Sequence, residues 1–378
     1  MDGMWLRLFI VLAFVLTGVP LDQAQAAPNG HLDDTHIDVF TMGPGEDLFS
    51  RFGHAAICIT DDDSPKGRCY NFGTADFSTP GPLTWGVLRG RGLFWVSVLP
   101  LEHMLLLYRL EDRTVFRQRV PLLPAQKAQV VAFLHTADRK ENTLYHYRHF
   151  DDNCTTRIRD LLDAATAGAL RKGQTTSNEP PLRTHVLSGL AAEPFLIALS
   201  EVVLGRRVDV PITGWESMFL PDVFRQKLAT NLHAQAETVF AREKPLPPPS
   251  RLSSWLAFLL ASLFLSGLSR LPRVGPWLAV VPLVLLALVP WTLLVVARLP
   301  ELQINEVLLV LWPADFLLLW PRAARWYAPL RGVGLLLVVI GKLFGVLFQP
   351  LWGLWILAAL PLLSVWQQTV RPSVTCTR

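Results

Sequence analysis

The chain has 378 residues, a formal net charge of +4 and a hydrophobic fraction of 51%, which is more apolar than an ordinary soluble domain and calls for membrane-embedded segments. Its arginines are scattered, with no basic stripe interleaved with aromatics, and this excludes a nucleic-acid partner.

The opening stretch, MDGMWLRLFIVLAFVLTGVPLDQAQAAPNG, places Arg7 before an apolar run and then Ala24-Gln25-Ala26. That is the layout of a secretory signal peptide over residues 1–26, with an uncleaved anchor helix as the alternative; in both cases the next domain is exported. Residues 28–230 read as one mixed domain, long enough for a sizeable core. His36–Met42 alternates as a strand, Gly43-Pro44-Gly45 breaks it, and Arg51–Ile59 reads as a second strand. Alternate strand residues share a face, so Phe52, His54, Ala56 and Cys58 point one way. RCYNFGTADF, LFWVSVLP and TVFRQRVPL follow as strands, and LPAQKAQVVAFLHTADRK as a helix. Cys58 and Cys69 flank a hairpin loop, where a disulfide and free thiols are both open.

In HYRHFDDNCTTRIRDLLD, apolar or small residues at Cys154, Ile158, Leu161, Leu162 and Ala165 have helical spacing. Asp152 or Asn153 caps the helix, which sets Cys154 in its first turn. A thiol there feels the helix dipole and unsatisfied N–H groups, which favour the thiolate and can stabilise an oxyanion. Cys154 is therefore the candidate nucleophile, against the alternative of a buried structural cysteine. Of nine histidines, His54 is the best candidate base, with His146 and His149 in support. Cys58 is no partner for His54, because four strand residues separate them by roughly 13 Å. Asn71, on the next strand, is the candidate for orienting the imidazole, with Asp76 behind it. Arg51, Arg157 and Asn153 lie beside these motifs as candidate substrate-binding residues. For the arginines, contact with lipid phosphate competes with ordinary ion pairing. Trp215, Phe219 and Leu220 in GWESMFLP suit either a membrane-facing surface or a core helix.

Residues 231–251 read as a proline-rich linker. Residues 252–370 carry five apolar runs, at Leu252–Leu268, Val274–Ala297, Val307–Trp320, Val333–Phe348 and Leu351–Trp366, and residues 371–378 form a tail. The expectation is an all-α transmembrane bundle of about five helices, the third run being short for a bilayer. With the first domain outside, Arg270, Arg273, Arg322, Arg325, Arg331, Arg371 and Arg378 fall on the cytoplasmic side and Arg298 outside, as the positive-inside rule asks. Asp315 and Lys342 interrupt the apolar runs, as functional charges, helix-pairing groups or snorkelling side chains.

A histidine on a strand followed later by a cysteine at a helix start resembles the circularly permuted, NlpC-type branch of the papain-like fold. More closely, TMGPGEDLFSRFGHAAI, YNFGTADF, YHYRHFDDNCTTRIRDLLD and GRRVDVPITGWESMFLPD are similar to the periplasmic domain of the Lnb-type bacterial lipoprotein N-acyltransferases. The resemblance implies an α+β papain-like domain in the periplasm, anchored to the bacterial inner membrane by a multi-pass bundle. It carries Cys154 over as nucleophile and His54 as base, and the orienting residue less securely. It implies transfer of an acyl chain from a phospholipid, through a Cys154 thioester, to the N-terminal amine of a diacylated lipoprotein, with no metal or other cofactor. Cys58 and Cys69 lie outside the family pattern. The same dyad fits a hydrolase: a cell-wall amidase, for which five spans are superfluous, or a phospholipase, which differs only in whether water is excluded as acceptor. A non-catalytic membrane protein is the remaining alternative.

Overall fold

The computed structural model describes residues 34–47, 50–61 and 64–370. The expected signal peptide and the tail at 371–378 lie outside the described residues. The first half is a mixed α+β domain built on a seven-stranded antiparallel sheet. Its strands are β1 (Thr35–Met42), β2 (His54–Asp61), β3 (Ser64–Thr74), β4 (Leu93–Pro100), β5 (Val115–Arg119), β6 (Leu144–His146) and β7 (Ala236–Phe240), in the order β6-β4-β3-β2-β1-β5-β7. Helices α1 (Pro80–Leu88), α2 (Leu101–Leu110), α3 (Pro124–Ala137), α4 (Cys154–Ala165), α5 (Leu182–Gly189), α6 (Pro194–Val203), α7 (Gly214–Ser217) and α8 (Pro221–Asn231) surround it.

Alternation in β2 and β3 divides the core in two. Ala55, Ile57, Tyr70 and Phe72 face α4 and pack with Ile158 and Leu162. Ala56, Cys58 and Cys69 face the other way, against Met104 and Tyr108 of α2. Each fully buried aliphatic or aromatic side chain contributes about 1.5–3 kcal/mol, and shifting β2 by one residue would exchange the two sets between the cores and turn His54 to the opposite face. Cys58 and Cys69 are directly opposite in the register and form a disulfide, closing the option left open in the sequence. β7 falls inside the stretch read as a linker and pairs with β5. The domain thus extends beyond residue 230; the strand is short and almost wholly exposed, so it lacks the alternation that marks a half-buried strand.

Four α-helices follow: α9 (Ser254–Leu268), α10 (Gly275–Val296), α11 (Pro321–Leu343) and α12 (Trp352–Val370). The segments Gly275–Val296, Pro300–Leu319 and Pro321–Leu343 are long and apolar enough to cross a membrane, and Ser254–Leu268 is apolar but shorter. The third apolar run is not an α-helix, which corrects the expected bundle of about five. It is a string of short 3-10 turns at Pro300–Leu302, Glu306–Leu309 and Pro313–Leu319. Pro300 and Pro313 remove backbone donors within it. The string lies along α10: Trp291 Nε1 donates to the Leu311 carbonyl at 2.8 Å, and the rings of Trp277 and Trp320 meet at 6.0 Å.

Helix α11 begins at Pro321, so Arg322, Arg325 and Arg331 lie within it rather than in a loop. Arg331 is buried against Asp315, Nε to Oδ1 at 2.7 Å, and Tyr327 donates to the same oxygen at 2.7 Å. Asp315 thus ties the 3-10 string to α11, the pairing alternative. Lys342 donates to the Gln349 carbonyl at 2.7 Å.

The sheet domain is joined to the bundle by backbone bonds. Gly205 N–H donates to the Glu301 carbonyl at 2.7 Å, Arg206 N–H to Ile304 at 3.1 Å, and Arg298 N–H to Leu88 at 2.9 Å. Only glycine fits at 205, where a Cβ would strike the Gln303 carbonyl.

Replacing either member of the Asp315–Arg331 pair alone, by Leu or Met respectively, leaves a buried charge uncompensated and should cost about 3–5 kcal/mol, while the double variant should recover most of that loss. Thermal unfolding in detergent checks this; a double variant no more stable than the singles would show the pair to be uncoupled.

Candidate active site

Helix α4 starts where it does because Asn153 caps it. Asn153 Oδ1 accepts from the N–H groups of Thr155 and Thr156, both at 2.9 Å, and its own N–H donates to Thr156 Oγ1 at 2.8 Å. Its Nδ2 donates to the carbonyls of His149 at 2.8 Å and Phe219 at 2.9 Å. The amide is engaged on both sides within the protein, and the side chain is buried. Cys154 follows as the first helical residue, 8% exposed, against the sheet face formed by Ala55, Ile57 and Phe72.

The end of β3 makes room for the sulfur. Between Asn71 and Thr74 the β3–β4 register shifts, and Gly73 there has φ +89°, a conformation that favours glycine. A Cβ on Gly73 would lie 3.6 Å from the Cys154 Cβ and 3.6 Å from the Tyr147 ring.

His54 opens β2 and acts directly on the thiol. Burial by itself raises the Cys154 pKa; the charge and hydrogen bonding of His54, an N–H from Ala55 and the Thr155 hydroxyl outweigh it and bring the thiol down to about 7. The other side of the imidazole is Tyr108, at 6.1 Å between ring centroids. Tyr108, Tyr145 and Tyr147 are held above the ordinary phenol range by burial, with a further contribution from the charge on Cys154. These phenols stay protonated, so none of them is a base. Burial drives His149 down to about 4, so it is neutral at physiological pH, and its Nδ1 lies 3.4 Å from the Tyr147 hydroxyl. His146 is exposed on β6.

Asn71 is buried on the same sheet face as Cys69, and its Nδ2 donates to the Cys69 carbonyl at 3.3 Å. Asp76 is exposed in a turn and accepts from the Ser78 N–H at 3.0 Å. Arg157 makes two bonds to Asp152, at 2.7 and 3.0 Å, and lies 3.5 Å over the Tyr145 ring. Arg51 pairs with Glu193 at 2.8 Å. Trp215 is clasped between Arg159 and Arg171, and Phe219 is buried, so this segment is core. The tyrosines around the thiol were missed by sequence reasoning, although Tyr145, Tyr147 and His149 alternate just ahead of the cysteine.

A groove of about 530 Å³ adjoins the site without containing Cys154. Met42 and Gly53, which flank His54 in register and in sequence, line it. On its walls Thr41 Oγ1, Arg51 Nε, His185 Nε2 and Arg225 Nε are buried without hydrogen-bond partners among the described residues. Among the described residues no group of His, Cys, Asp and Glu is placed to hold a metal.

Residues 24–188 match the family described as the Lnb N-terminal periplasmic domain. That stretch belongs to the Lnb family. The Lnb domain contains both His54 and Cys154, and with the apolar segments behind it the chain is a membrane protein with a periplasmic domain. No curated protein and no solved structure matches the chain.

Alkylation of Cys154 by iodoacetamide should follow a pH profile with its midpoint at about 7. In His54→Ala the lowering charge is gone while burial remains, so the midpoint should move upward; an unmoved midpoint would separate His54 from the thiol.

Proposed function

We propose that the protein is a thiol-dependent acyltransferase that moves an acyl chain from a phospholipid to the N-terminal amine of a bacterial lipoprotein, from the periplasmic face of the inner membrane. The observation that carries this reading is the Cys154 thiol, drawn to about 7 beside His54 at a capped helix start in an Lnb domain. A histidine strand preceding a cysteine helix also supports the permuted papain-like assignment.

In the first step the Cys154 thiolate attacks the ester carbonyl of the phospholipid. The carbon–sulfur bond forms, the carbon–oxygen bond breaks, and protonated His54 supplies the proton that the leaving alkoxide needs to depart as lysophospholipid. In the second step the lipoprotein amine attacks the thioester. The carbon–nitrogen bond forms, thiolate leaves, and His54 takes the amine proton. The Ala55 N–H beside the sulfur is suited to stabilise charge on the acyl oxygen. Asn71 is assigned as the residue that orients His54. Arg157 and Asn153 are assigned to holding the Cys154 helix start, and Arg51 to the groove. The partnerless polar atoms of the groove suit a polypeptide, the part of the acceptor that follows its N-terminal amine. Nothing in these steps calls for a metal or organic cofactor.

The test is mass spectrometry of lipoprotein N-terminal peptides from a strain lacking its own N-acyltransferase. The parent chain should restore N-acyl peptide, and Cys154→Ala and His54→Ala should lower it by about 100-fold or more. Free amine together with accumulating lysophospholipid would instead establish the hydrolase.

A further inference from the structure

Helix α1, PGPLTWGVL, has no charged residue and no buried one. Trp85 is 53% exposed and Phe77, just before the helix, 46%. A helix on a water-facing surface normally carries a polar face, and this one has none. Its C-terminal end is fixed: the Leu88 carbonyl accepts the Arg298 N–H at 2.9 Å. Arg298 comes two residues after the end of α10, a 22-residue apolar segment. Where α10 leaves a bilayer, α1 lies at the level of the lipid headgroups.

Three cations share that level. Arg89 lies 5.8 Å over the Trp85 ring, and Arg91 and Arg298 are exposed. None of the three is paired with a carboxylate among the described residues. An aromatic ring beside free guanidinium groups is the composition of a membrane interface, where the ring sits among the upper acyl chains and the cations meet phosphate.

The inner side of α1 leads to the thiol. Leu83 and Val87 pack on Ala75, Phe94 and Tyr145. Phe94 stacks on Tyr147 at 4.3 Å, and Tyr145 and Tyr147 border Gly73, against which Cys154 sits. We infer that α1 and Arg89, Arg91 and Arg298 form a phospholipid-binding surface set into the outer face of the bilayer, from which the donor acyl ester passes along Phe94 and Tyr147 to Cys154. The delivery step rests on the acyl-transfer reading; the lipid contact does not.

The test uses the full chain in nanodiscs of phosphatidylethanolamine and phosphatidylglycerol. The background is Cys154→Ala with Cys376→Ser, which leaves the disulfide intact, and an environment-sensitive NBD label is attached through Trp85→Cys. Brominated lipid should lower emission at this site by about twofold, with iodide in the water having little effect. A label at Glu237→Cys, on the far edge strand, should respond the opposite way. Iodide quenching at position 85 equal to that at 237 would overturn the surface, whatever Cys154 does. In the active chain, Arg89→Glu with Arg91→Glu should raise KM for phosphatidylglycerol vesicles by about tenfold relative to acylation of Cys154 by a water-soluble short-chain ester; equal changes for both donors would overturn the arginines' part. Lipid quenching without any acyl-Cys154 would leave the surface standing and remove the acyl-transfer reading.

Discussion

Burial works against a thiolate, and the surroundings of Cys154 act to offset it. The sulfur sits in the main core beside Ile57 and Phe72, an environment that by itself favours the neutral thiol. Several groups oppose that tendency from fixed positions: His54 at the head of a central strand, the Ala55 N–H, and the Thr155 hydroxyl. All depend on the register between β2 and α4, and that depends on Asn153 stopping the loop and starting the helix one residue before the cysteine. Shifting the cap by one residue would rotate Cys154 by about 100° around the helix, away from His54.

The same economy of position governs how the domain meets the bundle. The junction combines main-chain bonds at Gly205, Arg206 and Arg298, side-chain bonds from Asn305 to the Val202 carbonyl at 2.9 Å and from Gln349 to Leu204 at 2.6 Å, and an apolar cluster that joins Leu204, Val208 and Phe219 to Ala297, Leu299 and Leu302. The hydrogen bonds give the junction a direction that its apolar contacts alone would not. It fixes the height of the thiol above the apolar segments. This explains why a non-helical string is tolerated at Pro300–Leu319: its first residues are occupied in holding the sheet domain, and the buried Asp315–Arg331 pair secures its later part. Irregular backbone at membrane depth is sustainable when protein surrounds it.

Much of this was legible in the sequence, for identifiable reasons. β1, β2 and β4 alternate, and the Asn153–Cys154 boundary carries both a capping residue and helical periodicity, so strand, cap and thiol could be read together. Hydropathy measures burial, not helicity, so the 3-10 string was indistinguishable from a helix at Val307–Trp320. Arg322, Arg325 and Arg331 read as a cytoplasmic loop because single-chain charge counting cannot see that Arg331 has Asp315 as a partner. β7 and α1 escaped for a common reason: an exposed edge strand and a helix without a polar face both lack the contrast on which periodicity depends. The tyrosines around the sulfur come from separate elements, α2 for Tyr108 and the β6 region for Tyr145 and Tyr147, and only the tertiary fold brings them together.

The arrangement also bears on how one thiol would serve two substrates in turn. A two-step transfer needs the first product to leave before the second reactant arrives, and water must not reach the thioester in between. Cys154 is nearly closed to solvent, and the features leading to it lie on different sides: Phe94 and Tyr147 toward α1, and the Gly53 corner toward the groove. Phe52 stands between the groove and His149, its ring 4.9 Å from the imidazole. On the proposed reading, a donor entering from the bilayer side and an acceptor from the groove need not exchange places. The acyl-enzyme then stays covered by aromatic side chains while it waits, and acceptor choice is decided by what the groove can hold rather than by the reactivity of the thioester.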